Sequence, residues 1–533
     1  MSTANVTEPV KHTEDSSVVL LSPSTRVTSE TLIEAEEHRQ LELTVAGLKG
    51  ATADTVPVDG KEQAAVKGAA EVKAKKAVVR DTSSKFTLCV TMIVKNESAI
   101  IRRILDSVAS IADYICITDT GSEDNTVELI KQWGEEYQIP TTVCVSEFRN
   151  FGYARNCSLR NTKKTYPKAD FQMLLDGDFK VELNGFLKSE LNLQHHSYTI
   201  KQYDKWKAWG NVRIVANWID WEYHLRTHEY IAASTKQSMY AGEVRSMGLD
   251  TLRINDIGDG GCKSDKYERD IRLLHEDLED PEVTDYDKIR CYYYLANSYK
   301  NGGRHKEAIP WYSKRVAAGG WFEEVYLSWC NIGECYQTSY EITKHAVEIV
   351  SKRQTETPNL KLIVDELSEY LTDEITSNLE ESVKEVNKEE AFLKEHQLAD
   401  VPLEQLITLC DQYFKDAIQN YMKGYAFCKI RAEALYAVVK MLRVRGDSSK
   451  GDHRKGLFLA LEGLKIPIPK QCTLEVQNGV HTYGFDSEIM ILAYYVPDQL
   501  PVGQAAKDRL STKLDAMAGN YRLMYEQNKR FYN

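Results

Sequence analysis

The sequence predicts an α/β domain built on a mostly parallel, doubly wound sheet and followed by an all-α region. Three observations carry that prediction. Between Phe86 and Asp178, four β-rich apolar runs alternate with segments of helical spacing. From about Asp270 onward the strands give way to helical patterns. Residues 1–84 are rich in Ala, Val, Thr, Ser, Lys and Glu and nearly free of aromatics, which predicts a disordered arm.

The elements follow in order. Within the arm a weak helix is expected over Glu30–Leu48, capped by Ser29. "FTLCVTMIV" from Phe86 reads as a strand buried on both faces. In "KNESAIIRRILDSVASI" the residues Ile100, Ile101, Ile104, Leu105, Val108 and Ile111 share one helical side. A second strand, "YICITDTG", precedes the helix "NTVELIKQWGEEY"; "TTVCVSEF" and "FQMLLDGD" are the third and fourth strands. In such sheets ligands sit outside the carboxyl ends of the strands.

Farther on, "CYYYLANSYKNGGRHKEAIPWYSKRVAAG" places Leu295, Ala296, Tyr299, Ala308 and Tyr312 at the spacing of a tetratricopeptide helix pair. A similar pattern restarts at Ile332, Gly333 and Tyr336, and "RAEALYAVVKMLRVRG" with "KGLFLALEGLKI" is a further pair. Residues 341–409 read as an acidic helical insert, a solvated excursion. The expected domains are therefore 1–84, 85–275 and 276–533.

Bulk properties exclude several classes. The chain has 533 residues, enough for two or three domains, and 27% of them are charged with a net charge of -12. That balance argues against a nucleic-acid footprint, which needs a concentrated basic face. Eleven cysteines without a CxxC or CxxH pair suggest reduced thiols rather than a disulfide framework or zinc site. No apolar run approaches the roughly 18 to 20 residues of a membrane helix. The polar start, "MSTANVTEPVKHTEDSS", lacks a secretory signal, so a cytoplasmic location is expected.

All four strands end in polar loops: Lys95–Glu97, "TDTGSEDNT", "FRNFGYARN" and "DGD". Asp176 and Asp178 taken alone could be a turn with Asx hydrogen bonds. At the end of an apolar strand, beside three equally polar loops, two carboxylates one residue apart suit a hard divalent cation. Such a cation would neutralise a pyrophosphate and stabilise its departure.

Residues 86 to about 275 resemble glycosyltransferase family 2, whose fold is the GT-A nucleotide-diphospho-sugar transferase sheet. The motifs that carry the likeness are "MIVKNE", "TDTGSEDNT", "NFGYARN", "MLLDGDF", "RTHEY" and "IGDGGCKSDKYERD". A subgroup that appends tetratricopeptide-like helices is closer still, on "CYYYLANSYKNGGRHKEAIPWYSKR". The resemblance implies an inverting, hexosyltransferase-type enzyme. It would use a divalent metal (Mn2+ or Mg2+) and pass a sugar from a nucleotide-sugar donor, a UDP-sugar first, to a hydroxyl acceptor. A protein or glycan acceptor would rest on the helical tail, whose alternative role is to cap the catalytic domain.

By the same resemblance, Asp119 contacts the base or ribose, and Arg155 and Asn156 line the nucleotide pocket. Asp176 and Asp178 form the D-x-D motif, with Asp178 the direct metal ligand. Inverting transfer needs a carboxylate base; Glu229, beside His228 in "HLRTHEY", is the first candidate and Asp220 the reserve. His228 is either a metal or phosphate ligand or a hydrogen-bonded structural histidine. Trp218, Trp221 and Tyr223 either stack on the acceptor or pack. Lys263 and Lys266 are candidate diphosphate contacts or solvated surface charges. Asp256 stands where the subgroup often has histidine and is the candidate third metal ligand. Two alternatives remain: a scaffold that has lost catalysis, against which the intact Asp176 and Asp178 speak, and nucleotidyl transfer, against which "KNESAIIRR" speaks.

Overall fold

The computed structural model describes residues 78–204, 208–234, 243–260, 266–355, 373–446, 450–517 and 519–532. The arm up to residue 77, its expected helix, Lys263 and part of the acidic insert lie outside these residues.

Strand β1 (Leu88–Val94) is almost wholly buried. An apolar run without alternation needs cover on both faces, and here packed helices supply it while β2 and β4 pair with its edges. Helix α1 (Ile101–Val108) follows, burying Ile101, Ile104, Leu105 and Val108. Then come β2 (Tyr114–Asp119), α2 (Thr126–Tyr137), β3 (Thr141–Val145), α3 (Phe151–Thr165) and β4 (Phe171–Asp176). The order β3-β2-β1-β4 is parallel throughout. Its register pairs Val94 with Asp119 and Ile93 with Asp176, so the loops after β1, β2 and β4 leave from one edge.

The sheet is larger than the four strands legible in sequence. It continues with β5 (Phe179–Leu183), β6 (Ser197–Tyr203), β7 (Ala208–Ala216) and β10 (Ser246–Asp256) in the order β4-β7-β6-β10-β5. Strands β7 and β5 run against the other six, so the sheet is mixed beyond β4 rather than purely doubly wound. A separate hairpin pairs β8 (Trp221–His224) with β9 (Tyr230–Ala233).

Connectivity forces the sheet to curl. β4 and β5 stand four positions apart, which is ~19 Å in a flat sheet. Yet only Gly177 and Asp178 join them, and three Cα steps span at most ~11 Å. The β7-β6-β10 strands must therefore fold over the carboxyl edge of β4. Asp256 accordingly pairs with Phe179, next to Asp178.

Helices make up the remainder: α4 (Lys266–Glu279), α5 (Asp285–Asn301), α6 (His305–Ala318) and α7 (Phe322–Thr355). Helix α4 runs across the boundary expected at residue 275. Helices α5 and α6 pack as an antiparallel pair, burying Leu295, Ala296, Tyr299, Ala308 and Tyr312. Further on are α8 (Asp373–Glu395), α9 (Leu403–Phe427), α10 (Glu433–Gly446), α11 (Lys450–Gly463), α12 (Phe485–Tyr494), α13 (Leu500–Ser511) and α14 (Gly519–Asn528). Residues 338–413 belong to a separate compact unit, with its own small core of Ala346, Ile349, Leu393, Leu398 and Leu406. Among the described residues no helix is long and apolar enough to cross a membrane.

Candidate active site

The carboxyl edge of β1, β2 and β4 is knitted before any ligand arrives. Asn96, in the left-handed region at φ 56°, donates from its backbone N to Ser122 Oγ (2.9 Å) and accepts from Glu123 N (2.8 Å). Glu97 N donates to Thr126 Oγ1 at 2.8 Å. The Asp119 carboxylate accepts from the backbone N of Gly121 and of Ser122, both at 3.1 Å. In this structure, then, the aspartate expected at the base or ribose shapes its own loop, an Asx turn.

Arg155, in the second turn of α3, organises the centre. Its Nη1 lies 2.6 Å from Asp176 Oδ1 and its Nε 2.5 Å from Glu229 Oε1. Burial pulls the guanidinium pKa down, but the two carboxylates outweigh that and hold it well above its usual value. The other oxygen of Asp176 accepts from Arg213 Nη1 at 3.3 Å. Burial alone would raise the Asp176 pKa; the two arginines hold it below its usual value. In this structure both oxygens of Asp176, expected from the resemblance to bind metal, meet guanidinium groups.

The network continues across the folded-over strands. Arg213 Nη2 donates to Gln202 Oε1 (2.8 Å), and Gln202 Nε2 donates to Asp256 Oδ2 (2.9 Å). The guanidinium also lies 4.8 Å from the centre of the Phe179 ring. Neither Arg213 nor Gln202 was a candidate from the sequence. A signal was present: each interrupts a strand, "NVRIVA" and "YTIKQY", and a buried charge needs a partner.

Asp178 differs from Asp176. No cation pairs with its carboxylate among the described residues, and its pKa is pushed up to about 6 by burial, then by Asp176 and Asp256. The Asp256 pKa is raised as well, by burial and by Asp176, with Gln202 and Arg213 opposing. Glycines let backbone approach these acids: a Cβ on Gly260 would lie 3.4 Å from both Asp178 Oδ2 and Glu97 Oε1. Arg103, also missed in the sequence, pins that loop with two 2.7 Å contacts to Asp259 and donates to the Asp178 carbonyl at 3.2 Å.

Other candidates fall elsewhere. Asn156 brackets the backbone of Tyr223, donating to its O (2.9 Å) and accepting from its N (2.7 Å), so it fastens β8 to α3. His228 stacks on Tyr294 at 4.3 Å and faces Asp270 at 3.7 Å. Burial lowers its pKa to about 4 despite Asp270, with Lys266 and Arg290 adding to the fall. In this structure it packs between Tyr294 and Asp270. Lys266 opens α4, and its charge is felt at His228.

Asp220, the reserve base, stands apart from this edge. Antiparallel pairing of Phe171 with Ala216 puts the turn after β7 at the amino end of β4, ~16 Å from Asp176 at strand rise. There Asp220 pairs with Lys163 Nζ at 2.5 Å, in the last turn of α3. Trp218 meets Phe171 edge-on at the same end, and Trp221 Nε1 donates to Ala216 O. Of the three aromatics only Tyr223 lies beside Arg155, its ring centre 5.7 Å away. Asp220→Asn is expected to leave kcat within about twofold, whereas losing a general base costs ~10²-fold or more; steady-state kinetics check this.

One glycine fixes how α3 meets the loop before β9. A Cβ on Gly152 would sit 2.1 Å from the Leu225 carbonyl oxygen. Gly152→Ala is expected to destabilise the fold by about 1–3 kcal/mol, read from denaturant unfolding.

Parts of this chain are similar to known proteins. Residues 89–192 match the model of the family described as "Glycosyl transferase family 2". Among solved structures, Staphylococcus aureus TarS is 12% identical with a TM-score of 0.25, covering 40% of this chain and 43% of that one. Its 1–349 form in complex with UDP-GlcNAc is 13% identical at a TM-score of 0.26, covering 47% and 81%. Glucosyl-3-phosphoglycerate synthase from Mycobacterium tuberculosis with phosphoglyceric acid is 18% identical at 0.17, covering 23% and 45%. This chain thus spans less than half of the TarS chain, and likenesses this distant assign no residue its role.

Proposed function

We propose that this chain, whose residues 89–192 match the model of glycosyl transferase family 2, transfers a sugar from a UDP-sugar to a hydroxyl group of a protein or glycan, with inversion. The observation that carries the reading is the grouping of Arg155, Asp176, Asp178, Asp256 and Glu229 about the carboxyl end of the parallel strands. That end is where such sheets take their ligands.

The residues divide the work. Glu229 accepts the proton of the acceptor hydroxyl as its oxygen bonds to the anomeric carbon, while the bond from that carbon to the diphosphate breaks and its electron pair leaves with the nucleotide. Arg155 holds the Glu229 carboxylate in place through the 2.5 Å contact. Arg213 and Arg155 keep Asp176 ionised and fixed, so that the β4 end cannot swing. Tyr223 walls the site beside Arg155.

A divalent cation fits this edge in part. The donors are hard oxygens, and the Asp178 carboxylate, burdened by Asp176 and Asp256, forms no ion pair among the described residues. No group of three or more His, Cys, Asp or Glu among those residues is arranged to hold a metal. Asp178, with Asp256 beside it, would hold Mn2+ or Mg2+, with oxygens from donor and water completing the shell. The cation when bound offsets charge on the departing diphosphate.

The test is a panel of UDP- and GDP-sugars with manganese or with EDTA, reading nucleotide release and donor binding. Turnover of one donor is expected, and Glu229→Gln should lower kcat by ~10²-fold or more while donor binding persists. Failure of every donor to bind a folded chain would overturn the reading in favour of a scaffold.

A further inference from the structure

The loop that carries Glu229 is held by the helical region. Arg226 donates from its backbone N (2.9 Å) and Nη1 (2.5 Å) to Asp277 and from Nη2 (2.7 Å) to Asp280, all on or just after α4. Thr227 Oγ1 donates to Asp270 at 3.0 Å. His228 stacks on Tyr294 of α5, and its carbonyl accepts from Arg290 Nε at 3.3 Å. Tyr230 Oη donates to Asp287 at 2.7 Å. From 226 to 230 every side chain but one turns to α4 or α5. The exception is Glu229, which turns to Arg155.

Two features show that this hold is built in. Asp270, Asp277 and Asp287 are 3%, 1% and 3% exposed, and buried carboxylates are costly unless paired. Each finds a partner in the loop. The backbone is also bent for the purpose: Leu225 (φ 70°) and His228 (φ 49°) both occupy the left-handed region, which non-glycine residues keep only when their surroundings impose it. On its other side the loop is pinned to α3, where Phe151 N donates to Arg226 O at 3.0 Å.

We infer that α4 and α5 are part of the catalytic unit, with Asp270, Asp277 and Asp287 as positioning residues that aim Glu229 at the reacting hydroxyl. The inference rests on the transferase reading for the role of Glu229. The physical reason is reach: transfer needs the base within hydrogen-bond distance of the proton, and a loop with two left-handed residues relaxes once its anchors go. A ligand that shifts α4 or α5 would shift Glu229 with them.

The test uses the full chain carrying Asp277→Asn, with Arg454→Gln, in a surface pair with Asp498, as control. Thr227→Val, which deletes one hydroxyl, is the milder variant should the first not fold. Amide exchange over residues 222–231 is measured without donor and is expected to rise about tenfold in the loop variants. With donor and acceptor, kcat is expected to fall about tenfold while donor KM stays within about twofold. Exchange that does not rise, or rises with kcat unchanged, overturns the inference, as does a loss of donor binding in step with kcat. A wild-type chain that turns over no donor overturns the transferase reading instead, and the exchange result then decides the hold alone.

Discussion

Asp178→Asn is expected to raise the melting temperature of the metal-free protein by a few degrees while removing nearly all turnover. The Asp178 carboxyl titrates at about 6 instead of an ordinary 3.8 because it is buried beside Asp176 and Asp256. The folded chain thus binds this proton more tightly than the unfolded chain does. Stability from this group is fully present below the unfolded pKa and is lost as pH rises from about 4 through 6. At pH 7.5 the ionised group is a burden. The full shift would amount to ~3 kcal/mol, and partial exposure reduces that to about 1–2 kcal/mol. Asparagine removes the charge and with it the burden. Saturating manganese should stabilise the wild type and narrow the gap, because the cation would offset the same charge. Thermal unfolding with EDTA or manganese, at pH 5 and 7.5, checks each step. A variant no more stable than wild type in EDTA would mean that the charge is already offset.

Arg155→Met is expected to cost the most stability of any single change at the site. The side chain separates Asp176 from Glu229, and all three are mostly buried, at 16%, 20% and 12% side-chain exposure. Removing one member of a buried ion pair leaves its partner uncompensated, at about 3–5 kcal/mol. Here two partners are left, although Arg213 still reaches Asp176. Glu229 has no other ion-pair partner among the described residues and would turn toward water, so activity should fall with stability. Arg155→Lys should recover only part of the loss, since one ammonium cannot face both carboxylates in the guanidinium's planar geometry. Urea unfolding of the two variants beside wild type measures the difference; equal stabilities of all three would contradict the network.

The readable part of the site was its local part. Asp176, Asp178, Asp119, Arg155 and Asn156 stand at the ends of elements whose apolar periods are plain, and the parallel register brings those ends to one edge. Their partnerships were not readable. Asp176 and Asp178 look equivalent in "DGD", yet the carboxylate of one is paired with two arginines, whereas that of the other forms no ion pair among the described residues. Asp220 and Glu229 are nine positions apart in sequence and look interchangeable as bases, yet they lie toward opposite ends of α3. Strands β5 to β10 were missed because they are short or interrupted by polar residues such as Gln202 and Arg213, whose burial is set by the curl of the sheet.

By itself the sequence determined the alternation of strand and helix up to Asp178, the helical character from about Asp270 onward, and the polar loops at the strand ends. Those follow from apolar period and turn chemistry, which act over a few residues. Only the tertiary structure decided which acid is paired, which end of α3 each base candidate meets, and that the helical region grips the Glu229 loop. The contacts responsible join residues 74, 37, 54 and 51 positions apart. Such pairings depend on how the sheet curls and where helices dock, and no local pattern encodes them.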